Sequence, residues 1–152
     1  MLATRIDKRY KNWMIAGFAI LLAGGGFVWY IFNEKFTDTD KVKPAYTVNA
    51  VEFISEFKND LAQTNKKYAE KVIVVNGIIS AVEAADTTVN IKMIDTTGNA
   101  YIIFAFQQQH LSEAKAMKVG DKVAIKGSCS GGAYSEILET TFISFKRCAV
   151  NK

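Results

Sequence analysis

A chain of 152 residues with 19 Lys and Arg against 15 Asp and Glu is basic as a whole, yet the excess lies at one end. Residues 1–46 hold 7 basic and 4 acidic side chains, whereas residues 47–152 hold 12 and 11 and are near neutral. The larger part therefore lacks the overall basic character by which nucleic-acid binders usually neutralise phosphates, and at about a hundred residues it can build a core without disulfide staples.

In chain order, residues 1–12 form a basic tail in which Arg5, Lys8, Arg9 and Lys11 face a single acid, Asp7. Residues 13–32, WMIAGFAILLAGGGFVWYIF, carry no charge over 20 positions. A helix of that length rises about 30 Å, the thickness of a bilayer's hydrocarbon core. Trp13 opens the run and Trp29, Tyr30 and Phe32 close it, as amphipathic rings do at headgroup level. The basic flank predicts a cytoplasmic N-terminus and an outer C-terminal part. The rival reading is a cleaved signal peptide, but those have a shorter apolar run and a small-residue cleavage site, and here bulky residues follow. Ala16, Ala19, Ala23 and Gly26 share one helical face, which can admit a partner helix or simply reflect how common small residues are in membrane helices.

Residues 33–46 are polar, contain Pro44 and lack periodicity, and so read as a short tether before an outer domain of residues 47–152. Asn49 is a good helix cap with Glu52 three residues on, and Ala50, Phe53, Ile54, Phe57 and Leu61 follow at helical spacing. A polar stretch, residues 63–70, ends in a short helical turn. Residues 71–79, KVIVVNGII, predict a long first strand bent at Asn76-Gly77. Strands follow at 89–94, where Val89, Ile91 and Met93 alternate with Asn90 and Lys92, and at 100–106. Leu111, Ala114 and Met117 mark a short helix, and Gly120 ends it. A fourth strand at 122–129, a glycine-rich loop at 130–134, a fifth strand at 136–145 and a polar tail complete the chain. Five strands, the first long and bent, with a helix between the third and fourth, predict an all-β OB-fold barrel. An amphipathic helix precedes it, and one transmembrane helix precedes both.

The run Val119-Gly-Asp-Lys-Val-Ala-Ile-Lys-Gly127 carries a further signal. Together with Asn65-Lys-Lys-Tyr68, Lys71-Val-Ile-Val-Val-Asn-Gly77 and Lys126-Gly-Ser-Cys-Ser-Gly131 it resembles the bacterial tRNA-anti-like family of OB-fold proteins, over about residues 47–143. The resemblance implies a binding fold without an assigned task. It also implies a second cysteine near Thr141, whereas Cys148 stands further on.

An OB-fold takes ligands mainly across its second and third strands and the adjoining loops. That places Asn90, Lys92, Tyr101 and Ile103 on the candidate face, with Tyr134 at the loop. Tyr101 and Tyr134 can stack on bases, but Lys92 is nearly alone as a cation, and an ordinary barrel surface is the competing reading. Cys129 and Cys148 form a candidate disulfide pair if the outer compartment is oxidising. Gly127-Ser-Cys129-Ser-Gly131 matches a nucleophile elbow in spacing only, because a loop and a strand follow it where a helix is needed. His110 is the one histidine and reads as a solvated imidazole. With no second histidine and no Cys-x-x-Cys, neither a metal nor a cofactor is expected. Gly24-Gly25-Gly26 lies in the apolar run and lacks the context of a phosphate loop.

The sequence thus predicts a single-pass protein of the bacterial inner membrane with an outer OB domain. The favoured role is a non-catalytic accessory or structural subunit of a membrane complex, with other membrane proteins as partners. The alternative is an envelope-facing OB-fold that binds single-stranded nucleic acid or another polymer.

Overall fold

The computed structural model describes residues 8–33 and 37–152, which divide into an apolar helix and a folded unit, Thr37–Lys152. Arg5, Asp7, Glu34 and Lys35 of the predicted tail and tether lie outside the described residues. Helix α1 (Lys8–Phe32) has 25 residues and by length and composition can cross a membrane. It starts before Trp13, so Lys8, Arg9 and Lys11 ride on its first turns. Ala16, Ala19, Ala23 and Gly26 are exposed along it.

The folded unit begins earlier than residue 47. Most of the predicted tether, from Thr37 on, is part of it: Thr39–Lys41 form a 3-10 turn, Thr39 is buried, and Tyr46–Asn49 form strand β1. Three contacts hold this segment down. His110 Nε2 donates to Asp38 Oδ1 at 2.8 Å, Lys126 Nζ donates to the Asp40 carbonyl at 2.9 Å, and Thr39 N donates to Gln107 Oε1 at 3.3 Å. Long-range polar contacts of this kind are invisible to a composition argument.

Asn49 Oδ1 accepts from Val51 N at 3.0 Å and starts helix α2 (Ala50–Asn59). Asp60 does the same for α3 (Leu61–Tyr68), accepting from Gln63 N at 3.0 Å. Of the predicted apolar stripe, Ala50, Phe53, Ile54 and Phe57 are buried on α2, whereas Leu61 falls beyond the break at Asp60, opens α3 and is half-buried. Phe53 sits among Phe57, Tyr68 and Phe145 with ring centroids 4.9–5.8 Å apart. This aromatic cluster fastens both helices to the sheet.

Six further strands follow: β2 (Val72–Ile78), β3 (Ala81–Ala84), β4 (Val89–Ile94), β5 (Ala100–Phe106), β6 (Lys122–Ser135) and β7 (Thr140–Val150), with helix α4 (Leu111–Ala116) between β5 and β6. They lie in one sheet in the order β1-β2-β6-β7-β5-β4-β3. The expectation of a closed five-stranded barrel is corrected to an open series of seven strands. One reason is β1, which adds to β2 in parallel. The other is the first strand, whose pairing with β6 continues without a bulge through Asn76-Gly77 and which breaks two residues later. Ile79 N still bonds to Asp121 O beside β6, whereas Ser80 N bonds to Lys92 O in β4. Two residues thus join strands from far parts of the series and curl the sheet round its core, although no ladder pairs β2 with β3 among the described residues. Gly77 serves close packing: a Cβ there would stand 2.6 Å from Met93 Sδ and 2.7 Å from Ala50 Cβ.

The glycine-rich stretch predicted as a loop is the second half of β6, and the polar tail is largely β7. Irregular register at Lys126/Ser128 and Cys129/Gly131 lets β6 carry on where alternation fails. The connecting turn is only residues 136–139.

Candidate functional site

The outer face of β4, β5 and β7 is set by register, because directly opposed residues share a side of the sheet. Lys92 lies opposite Ile103 on β5 and Ala81 on β3, and Asn90 lies opposite Ala105 and Glu83. Tyr101 lies opposite Ile94 on β4 and Phe142 on β7. The structure therefore brings Asn90, Lys92, Tyr101 and Ile103 together. Tyr134 is placed elsewhere. It pairs with Thr141, which pairs with Ala100, so it is one residue out of phase with Tyr101 and shares the opposite side of the sheet.

Phe142 takes the place that Tyr134 leaves. Its ring stacks on Tyr101 with centroids 6.2 Å apart and planes inclined by 23°. Both rings are half-buried, so their free surfaces form an aromatic shelf. The signal was present in the alternation of Phe142 and Ser144 with buried Ile143 and Phe145. The predicted start of that strand, four residues too early, hid which end of it matters.

The cation of this face is already engaged. Lys92 Nζ lies 2.6 Å from Glu83 Oε1 and 5.4 Å from the centre of the Tyr101 ring. Glu83 supplies an opposing charge, so the shelf combines aromatic area with a locally neutral ion pair. Such a surface can stack on or pack against a ligand with little net electrostatic pull.

The other predicted positions sort differently. Cys129 and Cys148 are free and fully buried, which corrects the candidate disulfide. Burial pushes the Cys129 thiol up to about 11 and that of Cys148 well above its ordinary range. The thiol of the G-x-C-x-G run therefore points into the core as a neutral apolar group. Gly127 in the same run is required by packing, since a Cβ would stand 2.6 Å from Cys148 Sγ. His110 is not solvated. It bonds Asp38, and its Nδ1 lies 3.6 Å from Glu113, itself paired with Lys152 at 2.7 Å. Among the described residues no three His, Cys, Asp or Glu side chains gather as a metal-ligand set.

The familiar motif residues form a structural clasp. Asn65 Nδ2 donates to Gly132 O at 2.8 Å while Gly132 N donates to Asn65 Oδ1 at 2.7 Å. Tyr68 Oη donates to the Glu56 carboxylate at 3.0 Å. Asn65 thus acts as a strand partner for β6 from helix α3, and Gly131, at φ +102°, leaves room for it.

Comparison with known proteins agrees with this architecture. The profile of the tRNA_anti-like family matches residues 1–140. Among solved structures, a "putative nucleic acid-binding lipoprotein" from Klebsiella pneumoniae is similar at TM-score 0.53 and 17% identity, over 69% of this chain and 91% of that one. An OBody bound to hen egg-white lysozyme is similar at TM-score 0.43 and 16% identity, over 57% of this chain and 87% of that one. A "putative aspartyl-tRNA synthetase" from Leishmania major follows at TM-score 0.42 and 6% identity, over 78% of this chain and 22% of that one. No curated protein matches the chain. At 17% identity the Klebsiella pneumoniae structure bears on the fold alone, and nothing is argued from the other two.

Proposed function

The chain belongs to the tRNA_anti-like family of OB-fold proteins, and from that premise we propose that it is a membrane-anchored, non-catalytic binding module serving as an accessory subunit of a membrane complex. In this reading α1 anchors the chain in a bacterial inner membrane with its N-terminus in the cytoplasm, and the β4–β5–β7 face receives a partner protein outside. The observation that carries it is the Tyr101–Phe142 shelf beside a lysine already neutralised by Glu83. Exposed aromatic area with compensated charge suits a protein surface, whose buried centre is depleted in charge and enriched in Tyr and Phe. The small-residue face of α1 is the second proposed contact, for a partner's helix.

The test is purification of the tagged full-length chain in mild detergent, for the wild type and for a Tyr101→Ala/Phe142→Ala variant. A stoichiometric membrane partner that the variant loses, at unchanged melting temperature, supports the reading. A partner retained by the variant removes the face from it, and a wild type that emerges alone removes the accessory role.

A second reading has its own support. Stacked rings next to a lysine are what single-stranded nucleic acids use, and the similar Klebsiella pneumoniae protein is described as nucleic acid-binding. Titration of the full-length chain with fluorescent single-stranded oligonucleotides separates it from the first.

A further inference from the structure

We propose that residues 37–42 are a releasable strap. Closed, it takes up chain between α1 and the sheet and covers Lys126; open, it frees that chain and bares the lysine on the outside of the sheet. The device does not depend on what the β4–β5–β7 face binds. Polar contacts hold it: the Asp38 pair with His110, the Thr39 bond to Gln107, and the bond from Lys126 to the Asp40 carbonyl. His110 is flanked in turn by Glu113, which Lys152 pairs. Of the strap's side chains Thr39 alone is buried, and none joins the hydrophobic core cluster. Its backbone closes only a local turn, with Lys41 N donating to Asp38 O at 3.0 Å and Val42 N to Thr39 O at 3.2 Å. Bonding to the sheet starts later, where Ala45 N donates to Val72 O at 2.8 Å. Ordering a residue costs about as much as one hydrogen bond returns. The ordered strap is therefore close to balance against its few bonds, whereas the sheet has the apolar core behind it. Segments with so few apolar contacts open locally, well below the free energy of global unfolding.

What lies beneath the strap also favours release. Lys126 is opposed by Val74 on β2 and by Ala149 on β7. Their strand neighbours Ile73, Val75, Ile125 and Cys148 belong to the core cluster, so this row faces outward. Lys126 is nonetheless only 6% exposed. The turn Thr39–Lys41 packs on β6 and β7, and the Asp40 carbonyl lies 2.9 Å from Lys126 Nζ. A buried ammonium is costly unless it is hydrogen-bonded, and here the strap itself supplies an acceptor. When the strap lifts, the ammonium passes from that carbonyl to water, so opening strands no charge. Lifting the chain up to Ala45 frees residues 37–44, which extended span at most about 28 Å. A pull from the side of α1 meets the anchors one at a time in chain order, Asp38 first and Asp40 last. The strap therefore peels away in steps.

The experiment follows amide hydrogen exchange of the full-length chain in mild detergent at neutral pH, with urea added below the unfolding transition. Local opening exposes little surface, so exchange at Thr39, Lys41 and Val42, corrected for intrinsic rate, should be nearly independent of urea. Ladder amides of β6 and β7 should exchange at least ten-fold more slowly and should accelerate as urea rises. Asp38→Ala removes an anchor from the strap's own side and leaves every residue of the sheet in place. It should speed exchange at Lys41 and Val42 roughly five-fold. Acetylation of Lys126 by a water-soluble succinimidyl ester, read by mass spectrometry, should rise by a similar factor. Strap amides that share the urea dependence of the sheet overturn the proposal, because the segment then opens only when the whole unit unfolds. An Asp38→Ala chain whose strap exchange and Lys126 acetylation equal those of wild type overturns it as well.

Discussion

Replacing Asn65 tests the claim that the motif residues of this family build the fold. Its amide makes two hydrogen bonds to the backbone of Gly132, at 2.8 and 2.7 Å. The orientation follows from chemistry, because a backbone N–H can only donate and must face Oδ1. Asn65→Ala removes both bonds and leaves a part-buried N–H and C=O without partners. At about 0.5–1.5 kcal/mol for each bond, with an added penalty for the stranded groups, the loss is about 2–3 kcal/mol. For a unit of this size that lowers the melting temperature by roughly 10 °C. The assay is a circular-dichroism melt of the full chain in mild non-ionic detergent. Asn65→Asp refines it: the acceptor for Gly132 N stays, but an oxygen now faces Gly132 O. That variant should melt as low as Asn65→Ala at neutral pH and recover in part on acidification, when the protonated carboxyl can donate again. An Asn65→Ala chain melting within about 2 °C of wild type would refute the clasp.

The remaining predictions follow from equally local geometry. The Asp38 carboxyl is held low by His110, and that of Glu113 by Lys152 and then His110. Groups with depressed values contribute stability above their ordinary range near pH 4 and lose it as pH falls through the lowered values. Hydrogen exchange corrected for intrinsic rate should therefore show residues 37–42 opening below about pH 4, ahead of the sheet; equal protection at pH 3 and pH 7 contradicts this. With its thiol pushed up to about 11 by burial, Cys129 should resist maleimide in the folded chain, and Cys148 likewise. Two equivalents should be taken up only in denaturant, and any fast labelling of the native chain counts against the burial. Gly77→Ala places a methyl 2.6 Å from Met93 Sδ and 2.7 Å from Ala50 Cβ. It should destabilise by about 1–3 kcal/mol, read as a lower urea midpoint with unchanged slope, and an unaltered midpoint refutes the packing role.

How far the sequence carried depended on the range of the interaction. The stripe Ala50, Phe53, Ile54, Phe57 and the alternation Val89, Ile91, Met93 were legible because periodicity records which face is buried, and both are buried as read. Asn90, Lys92, Tyr101 and Ile103 could be grouped because each strand fixes its own parity, and register only had to align them. The rest turned on partners far along the chain. Whether Gly131-Gly132 is loop or strand depends on Asn65 and Phe57, residues that a local window does not contain. The break at Ile79-Ser80 comes from a change of partner, from Asp121 to Lys92, with no turn residue to announce it. The tether looked free because its anchors, His110 and Lys126, lie more than seventy residues away, with separations of 72 and 86.

The charge state of the shelf discriminates between the two ligand classes. A single-stranded nucleic acid releases counterions as phosphates are neutralised, with a slope of log K against log salt near −0.7 for each phosphate. Lys92 is the cation beside the Tyr101 ring, and to meet a phosphate it must first leave Glu83, 2.6 Å away. The face as built should therefore give weak oligonucleotide binding with a slope no steeper than about −0.7. Glu83→Gln removes the competitor and should raise affinity a few-fold without adding phosphate contacts, since no new cation appears. A partner protein packed on Tyr101 and Phe142 responds in the opposite sense: the same variant leaves Lys92 uncompensated beneath a desolvated contact and weakens co-purification. A wild-type slope steeper than about −2 needs three or more neutralised phosphates, and that result would sink the protein-binding reading of this face.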